Sequence, residues 1–117
     1  MSGAVSYHGG LAAEEAVARL YQTRGHLVLA KRYRSKAGEI DLVVEKDGIV
    51  VFVEVKKSRT TSRAAYALSE RQMARIYASA ALFLETRPDG QNSDARFDVA
   101  LVNGQGTISV IENAIYA

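Results

Sequence analysis

Alternating apolar residues near the middle of the chain predict two strands joined by a tight turn. The stretch 38–57 reads GEIDLVVEKDGIVVFVEVKK, in which two β-branched runs flank Asp47-Gly48. A two-residue Asp-Gly loop between such runs is the strongest short-range signal for a β-hairpin. With that loop, Lys46 pairs with Ile49, and the register of the whole hairpin follows.

The predicted register brings charged residues together at the open end of the hairpin. It places Asp41 opposite Glu54, and Glu39 opposite Lys56. A four-residue loop would shift the register by two and place Asp41 opposite Phe52, so that a site would have to form diagonally. Both registers keep the four charged residues on one face.

The two faces of the predicted hairpin differ in polarity. One face is uniformly apolar and is expected to be buried; it carries Ile40, Leu42, Val44, Val51, Val53 and Val55. The other face carries the four charged residues together with Val43 and Phe52, which favour partial burial. Like charges directly opposed across two strands are destabilising, so Asp41 beside Glu54 suggests a cation between the carboxylates. The alternative is a solvated outer face on which Lys56 balances Glu39.

Helical and strand periodicities on both sides of the hairpin predict the remaining elements. After a loose tail at 1–8, the pattern predicts a helix from Gly9 or Gly10 to residue 24, a strand at 26–33, the hairpin, a helix at 69–85, and strands at 96–102 and 107–111. We expect Ser69 to be the N-cap of the second helix. The order α-β-β-β-α-β-β predicts an α/β (α+β) domain with a central mixed sheet flanked by helices.

Glu14 interrupts the apolar stripe of the first helix. Val17, Ala18 and Tyr21 follow it at the helical spacings i+3, i+4 and i+7. A carboxylate aimed at a core needs a partner or a metal ion. The alternative is that Glu14 lies at the edge of the stripe and reaches water.

Composition narrows the possible classes of protein. The 117 residues contain no cysteine, which excludes disulfides, thiolate zinc sites and cysteine nucleophiles. No apolar run approaches the roughly 20 residues that span a bilayer, and the N-terminus lacks the pattern of a secretory signal. We therefore expect a cytoplasmic protein without a membrane partner.

Charge is distributed unevenly along the chain. Eleven basic and six acidic side chains lie between residues 31 and 75, although the net charge of the whole chain is only +2. Basic residues around a small acidic centre suit a polyanion whose phosphate approaches a bound metal ion. The alternative is an ordinary basic surface.

Several segments of the chain resemble a known family. They are Glu14, the run GEIDL at 38–42, the run FVEVK at 52–56 and the run RFDV at 96–99. Asp41 followed by Glu54-Val55-Lys56 resembles the metal-site pattern of PD-(D/E)xK nucleases. The wider set is similar to the YraN-like family of small bacterial proteins, which is similar in turn to archaeal Holliday-junction resolvases. This resemblance implies a single nuclease-like domain over 1–117 with a restriction-endonuclease-like core. Gln72 departs from the family pattern, which has lysine there.

The resemblance also implies the chemistry of the site. The implied ligands of Mg²⁺ or Mn²⁺ are Asp41, Glu54 and the carbonyl oxygen of Val55, with Glu14 completing the set directly or through water. Lys56 is expected to orient the nucleophile or to stabilise charge in the transition state. Glu39 is expected to adjust the position of Lys56.

The implied function is a metal-dependent endonuclease that hydrolyses DNA phosphodiester bonds, with branched or junction DNA as the expected substrate. Candidates for contact with the DNA backbone are Arg34, Lys36, Lys57, Arg59, Arg63 and Arg71. The sequence has no aromatic ladder for base stacking, which favours recognition of DNA structure over base sequence. Cutting both strands of a symmetric junction would favour a homodimer. Two alternatives are a nucleic-acid-binding module that keeps the fold without cleaving, and a structural protein that binds neither ligand.

Overall fold

Two helices and five strands follow one another in the order that the hydrophobic pattern predicts. The computed structural model describes the backbone of residues 2–57 and 70–114, and the side chains of these residues except for 2–11 and 91. The elements are α1 (Ser2–Thr23), β1 (Leu27–Ser35), β2 (Gly38–Lys46), β3 (Ile49–Lys57), α2 (Glu70–Leu84), β4 (Asp94–Val102) and β5 (Ile108–Ile111), with a short 3-10 turn at Gly90–Asn92. The α+β class and the element order are thus confirmed.

The five strands form one mixed sheet in the order β1-β2-β3-β4-β5. Neighbouring strands are antiparallel except for β3 and β4, which run parallel. Parallel neighbours cannot be joined by a tight turn, and α2 lies in the crossover between them. The crossover therefore brings α2 close to the hairpin formed by β2 and β3.

The hairpin has the predicted two-residue loop. Five registered pairs run from Leu42 with Val53 to Lys46 with Ile49. Asp47 and Gly48 have φ angles of 53° and 80°, and two positive φ values are what a type I′ turn requires. The four-residue loop is therefore wrong. The registered pairs end at Leu42 and Val53, so the predicted pairing of the charged residues lies beyond the ladder.

A helix covers each face of the sheet. The cluster against α1 contains Ala13, Val17, Ala18, Tyr21, Leu42, Val44, Val51 and Val53. The cluster against α2 contains Val43, Val50, Phe52, Ala80, Phe83 and Leu84. Val43 and Phe52 are only 0% and 1% exposed, so the interpretation of their face as a solvated surface is wrong.

Ile40 departs from the predicted alternation. It packs in the cluster against α2, whereas Leu42 packs in the cluster against α1. In a regular strand, residues two apart share a face. The prediction that Ile40 shares a face with Leu42 is therefore wrong, and the alternation changes at the point where β2 leaves the ladder with β3.

Several predicted boundaries need correction. The first helix begins at Ser2 and not at Gly9 or Gly10, so the stretch predicted to be a loose tail is helical from Ser2 onward. β1 ends at Ser35, two residues later than predicted. The predicted N-cap, Ser69, lies outside the described residues. Within the described part of the chain, neither helix combines the length and the apolar character needed to cross a membrane.

Candidate active site

Asp41 is held against β3 at the open end of the hairpin. The backbone N–H of Val55 donates a hydrogen bond to Asp41 Oδ2 at 2.8 Å. The ladder between the two strands ends at Leu42 and Val53, two residues before Val55, so the Val55 amide bonds a side chain. The contact fixes the Asp41 carboxylate beside the segment that carries Glu54.

Glu54 is a carboxylate in an environment that disfavours its charge. Its Oε1 is buried, and no hydrogen-bond partner for it lies among the described residues. Burial and then the negative charge of Asp41 raise the pKa of Glu54 to about 7, and the Lys56 ammonium opposes this only in part. Burial also raises the pKa of Asp41, although the Val55 amide and Lys56 work in the opposite direction. The pair therefore favours a proton or a cation between its members.

Glu14 of α1 reaches the same centre. Burial raises its pKa, and the charge of Asp41 adds to that effect. Its Oε1 lies 3.4 Å from Nε of Arg32, and its side chain is 22% exposed. Glu14 is expected from the sequence to need a partner or a metal ion; within the described residues it has a guanidinium partner, and it also keeps some contact with solvent.

Arg32 of β1 is a site residue that the sequence analysis missed. Its neighbours Lys31 and Tyr33 pair with Leu42 and Ile40, so Arg32 lies across the ladder from Asp41. Its positive charge lowers the pKa of Asp41 and that of Glu14. The only signal available in the sequence was its place in the basic run KRYRSK, whose register against the hairpin was unknown.

The site offers two of the three carboxylates that are expected to bind a divalent cation. Among the described residues, no three carboxylate or imidazole side chains converge closely enough to hold a metal ion. Asp41 and Glu54 lie together, and the unpartnered oxygen of Glu54 suits a hard cation. Glu14 is engaged by Arg32. Two carboxylates are compatible with Mg²⁺, which usually keeps several waters and takes one or two carboxylates from the protein.

Glu39 is placed differently from the prediction. It lies opposite Arg34 in the β1–β2 ladder and accepts a hydrogen bond from Arg34 Nε at 3.0 Å. Arg32 Nε is 3.9 Å from its other oxygen. The expected pairing with Lys56 is not among the registered pairs of the hairpin, because β2 and β3 stop pairing before these residues. Glu39 is therefore paired with the arginines of β1, Arg32 and Arg34, and not with Lys56.

A cavity of about 220 Å³ opens beside Glu54, on the side of the sheet that α2 covers. It is lined by Gly38, Glu39, Glu54, Gln72, Arg75 and Ile76. Gln72 and Arg75 are thus further site residues that the periodicity of the second helix did not single out. A larger cavity of about 470 Å³ lies at the other end of the hairpin, beside its turn, and is lined by residues such as Arg24, Lys46 and Asp47.

The predicted DNA-contacting residues that the structure describes surround the same end of the sheet. Arg34 and Lys36 are exposed at the end of β1 and in the following loop, Lys57 ends β3, and Arg71 lies in the first turn of α2. Arg34 keeps 76% of its side chain exposed despite its pairing with Glu39. The other two candidates, Arg59 and Arg63, lie outside the described residues.

Asp98 belongs to a buried network. It accepts hydrogen bonds from Tyr21 Oη at 2.7 Å, Arg96 Nε at 2.9 Å and the backbone N–H of Asn113 at 3.0 Å. Asp98 is 0% exposed. Burial and the neighbouring Asp98 raise the pKa of Tyr21, which keeps the phenol protonated as a donor. The network ties α1 to β4, and its satisfied carboxylate has a structural role.

Comparison with known proteins gives consistent matches over most of the chain. The profile of the uncharacterised protein family UPF0102 matches residues 13–102. A UPF0102 protein of Cereibacter sphaeroides strain KD131 is 53% identical over 117 residues, which are 100% of each chain. Those of Ruegeria pomeroyi (49% over 112 residues, 96% of this chain and 91% of the relative) and Roseobacter denitrificans (47% over 114 residues, 97% and 88%) are also similar. The matched segment contains Glu14, the hairpin and the side chains of the buried network, Tyr21, Arg96 and Asp98.

Proposed function

The chain belongs to the UPF0102 family, and from that premise we propose that it is a metal-dependent endonuclease acting on DNA phosphodiester bonds. Membership confirms the YraN-like resemblance; the nuclease superfamily is part of the proposal. The observation that carries it is the state of Glu54. Its carboxyl has a buried oxygen without a partner among the described residues, and its pKa is raised to about 7 beside Asp41. Strongly perturbed carboxylates at the mouth of a cavity are typical of functional sites.

In this proposal the divalent cation is bound by Asp41, Glu54 and the backbone oxygen of Val55. The chemistry that Mg²⁺ or Mn²⁺ supplies at such a site is polarisation of the phosphate and a lower pKa for water. The Val55 amide holds the Asp41 carboxylate in place. Lys56 is close enough to lower the pKa of both carboxylates, and in this proposal its ammonium would hold a phosphate oxygen beside them.

The substrate would approach from the end of the sheet where the hairpin opens. Exposed basic side chains there would bind the phosphate backbone, and the cavity beside Glu54 would admit a phosphate group next to Arg75. Contacts of this kind position DNA without reading its bases. We therefore propose that the protein recognises branched or junction DNA by its structure, as a homodimer when both strands are cut.

The test is cleavage of a panel of duplex, nicked and four-way-junction DNA in the presence of Mg²⁺ or Mn²⁺. We expect cleavage that requires the metal and that Asp41→Asn abolishes. Glu15→Gln is the matched control, because Glu15 is an exposed carboxylate whose partner is Lys31 at 3.2 Å. Absence of cleavage on every substrate, or equal cleavage by Asp41→Asn, would contradict the proposal.

One observation favours a second candidate, a nucleic-acid-binding module that does not cleave. Arg32 already forms an ion pair with Glu14, and no three carboxylates of the described residues gather around a metal position. This candidate predicts DNA binding whose affinity falls steeply with salt in the absence of any divalent cation. Calorimetric titration with Mg²⁺ separates the two candidates. A protein that takes up neither DNA nor metal would have a structural role.

A further inference from the structure

We infer that Arg32 is the resident cation of an acidic centre, that is, the positive charge among the carboxylates of Glu14, Glu39 and Asp41 in the metal-free protein. We further infer that a divalent metal ion has to displace Arg32 in order to recruit Glu14. The second half of this inference rests on the proposed function, because it requires a metal at Asp41 and Glu54. The first half concerns the protein alone.

The contacts of Arg32 join carboxylates from two different elements. Its Nε lies 3.4 Å from Glu14 Oε1 on α1 and 3.9 Å from Glu39 Oε1 on β2. It also lies across the β1–β2 ladder from Asp41. Without this guanidinium, three acidic side chains would face one another around a partly buried position. Arg32 therefore links the carboxylates of α1 and β2, in addition to Arg34 on Glu39 and Lys56 beside Asp41.

The backbone of β1 is distorted at Arg32. Its φ angle is 53°, which is rare for a bulky residue and is usually retained only where the surroundings enforce it. In a regular strand, Lys31 and Arg32 would point to opposite faces. Here both reach α1, because Lys31 Nζ lies 3.2 Å from Glu15 and Arg32 binds Glu14. The left-handed residue thus aims the guanidinium at the acidic centre.

The guanidinium and a metal ion compete for the same carboxylate. In the described residues, Glu14 is paired with Arg32, and no third carboxylate joins Asp41 and Glu54. In this inference, a metal that recruits Glu14 draws its carboxylate away from Arg32, whose Nε contacts Glu14 Oε1. Because the Arg32 side chain is 38% exposed, the released guanidinium has room to turn toward solvent, where a substrate phosphate would meet it.

The first experiment tests the resident cation in EDTA, without any metal. Urea denaturation is measured for wild type, Arg32→Gln, Glu14→Gln and the double variant. We expect Arg32→Gln to lower the denaturation midpoint in the wild-type background and to lower it much less when Glu14 is already neutral. Fully additive effects would overturn the inference, whether or not the protein binds metal.

The second experiment tests displacement by calorimetric titration with Mn²⁺. Arg32→Gln should bind Mn²⁺ about tenfold more tightly than wild type, a factor that equals about 1.4 kcal/mol, the size of two partly exposed ion pairs. Arg32→Lys keeps the charge and should stay close to wild type. Lys31→Gln removes the neighbouring cation and should change nothing. Equal or weaker binding by Arg32→Gln would overturn the displacement while leaving the proposed function intact. No binding by wild type or any variant would overturn the metal-dependent function itself, and the displacement with it.

Discussion

Replacing Glu54 by glutamine should stabilise the metal-free protein, and only at neutral and alkaline pH. The carboxyl has an ordinary pKa of 4.5 and a pKa of about 7 in the folded protein, raised first by burial and then by Asp41. The folded state therefore binds this proton more tightly than the unfolded state does. Stability contributed by the protonated carboxyl is fully present below pH 4.5, and it is lost as the pH rises toward 7.

The size of the effect follows from the two pKa values. One pKa unit corresponds to about 1.4 kcal/mol, so the charged carboxylate destabilises the folded protein by up to about 3 kcal/mol above pH 7. Glutamine has nearly the same shape and carries no charge. At about pH 8.5, Glu54→Gln should be more stable than wild type by up to about 3 kcal/mol, and at about pH 4 the two should differ by less than about 0.5 kcal/mol.

The assay is urea denaturation in EDTA at both pH values, with linear extrapolation of the free energy of unfolding. Glu15→Gln is the control; it removes an exposed carboxylate bonded to Lys31, and a pH-independent change of less than about 1 kcal/mol is expected. A Glu54→Gln variant that is no more stable than wild type at the higher pH would refute the reasoning that burial and Asp41 destabilise the charged form.

Three further substitutions test other parts of the fold and the site. Tyr21→Phe removes the 2.7 Å hydrogen bond to buried Asp98 and should cost about 2 kcal/mol of unfolding free energy, measured by urea denaturation; no loss would mean that the network does not tie α1 to β4. Gly48→Ala should cost about 1–2 kcal/mol, because a Cβ there meets no atom within 4 Å and the whole penalty comes from φ at 80°; an unchanged midpoint would contradict this. Arg75→Ala should weaken DNA binding several-fold and reduce the slope of log affinity against log salt by about 1, while Arg24→Ala, at the turn end of the hairpin, should not; equal effects would place the DNA elsewhere.

The hairpin could be predicted because its determinants are local. Asp47-Gly48 supports two consecutive positive φ values, and the flanking runs have the period of a strand. The five registered pairs next to the turn follow from these two facts alone. The element order was equally accessible, because the chain alternates between helical and strand periodicity.

The burial of both faces of the hairpin depends on contacts between residues distant in sequence. In the predicted hairpin, Val43 and Phe52 share a face with charged residues such as Asp41 and Glu54. That pattern fits a half-buried face as well as a fully buried one. The exposures of Val43 and Phe52, 0% and 1%, result from the packing of α2, which the crossover between β3 and β4 brings onto that face. The pattern within each strand cannot specify which distant helix covers it.

The carboxylates of the candidate site could be singled out from the sequence, whereas its arginine could not. Asp41 and Glu54 stand out because they are acidic residues within strongly apolar strands. Glu14 stands out because it lies in the apolar stripe of a helix. Arg32 stands in a basic run whose composition is typical of any surface loop. Its role depends on a left-handed backbone and on the register of β1 against β2, and neither leaves a recognisable pattern in the sequence.

The end of pairing between β2 and β3 connects the main features of the site. Beyond Leu42 and Val53, the amide of Val55 bonds no backbone carbonyl of β2, and it is satisfied by the carboxylate of Asp41 on that strand. The same departure moves Ile40 to the cluster against α2. A hairpin paired to its end would use the Val55 amide in the ladder and deprive the Asp41 carboxylate of its donor. The acidic centre therefore exists because the two strands separate, and the apolar residues that hold them together near the turn also determine where that separation begins.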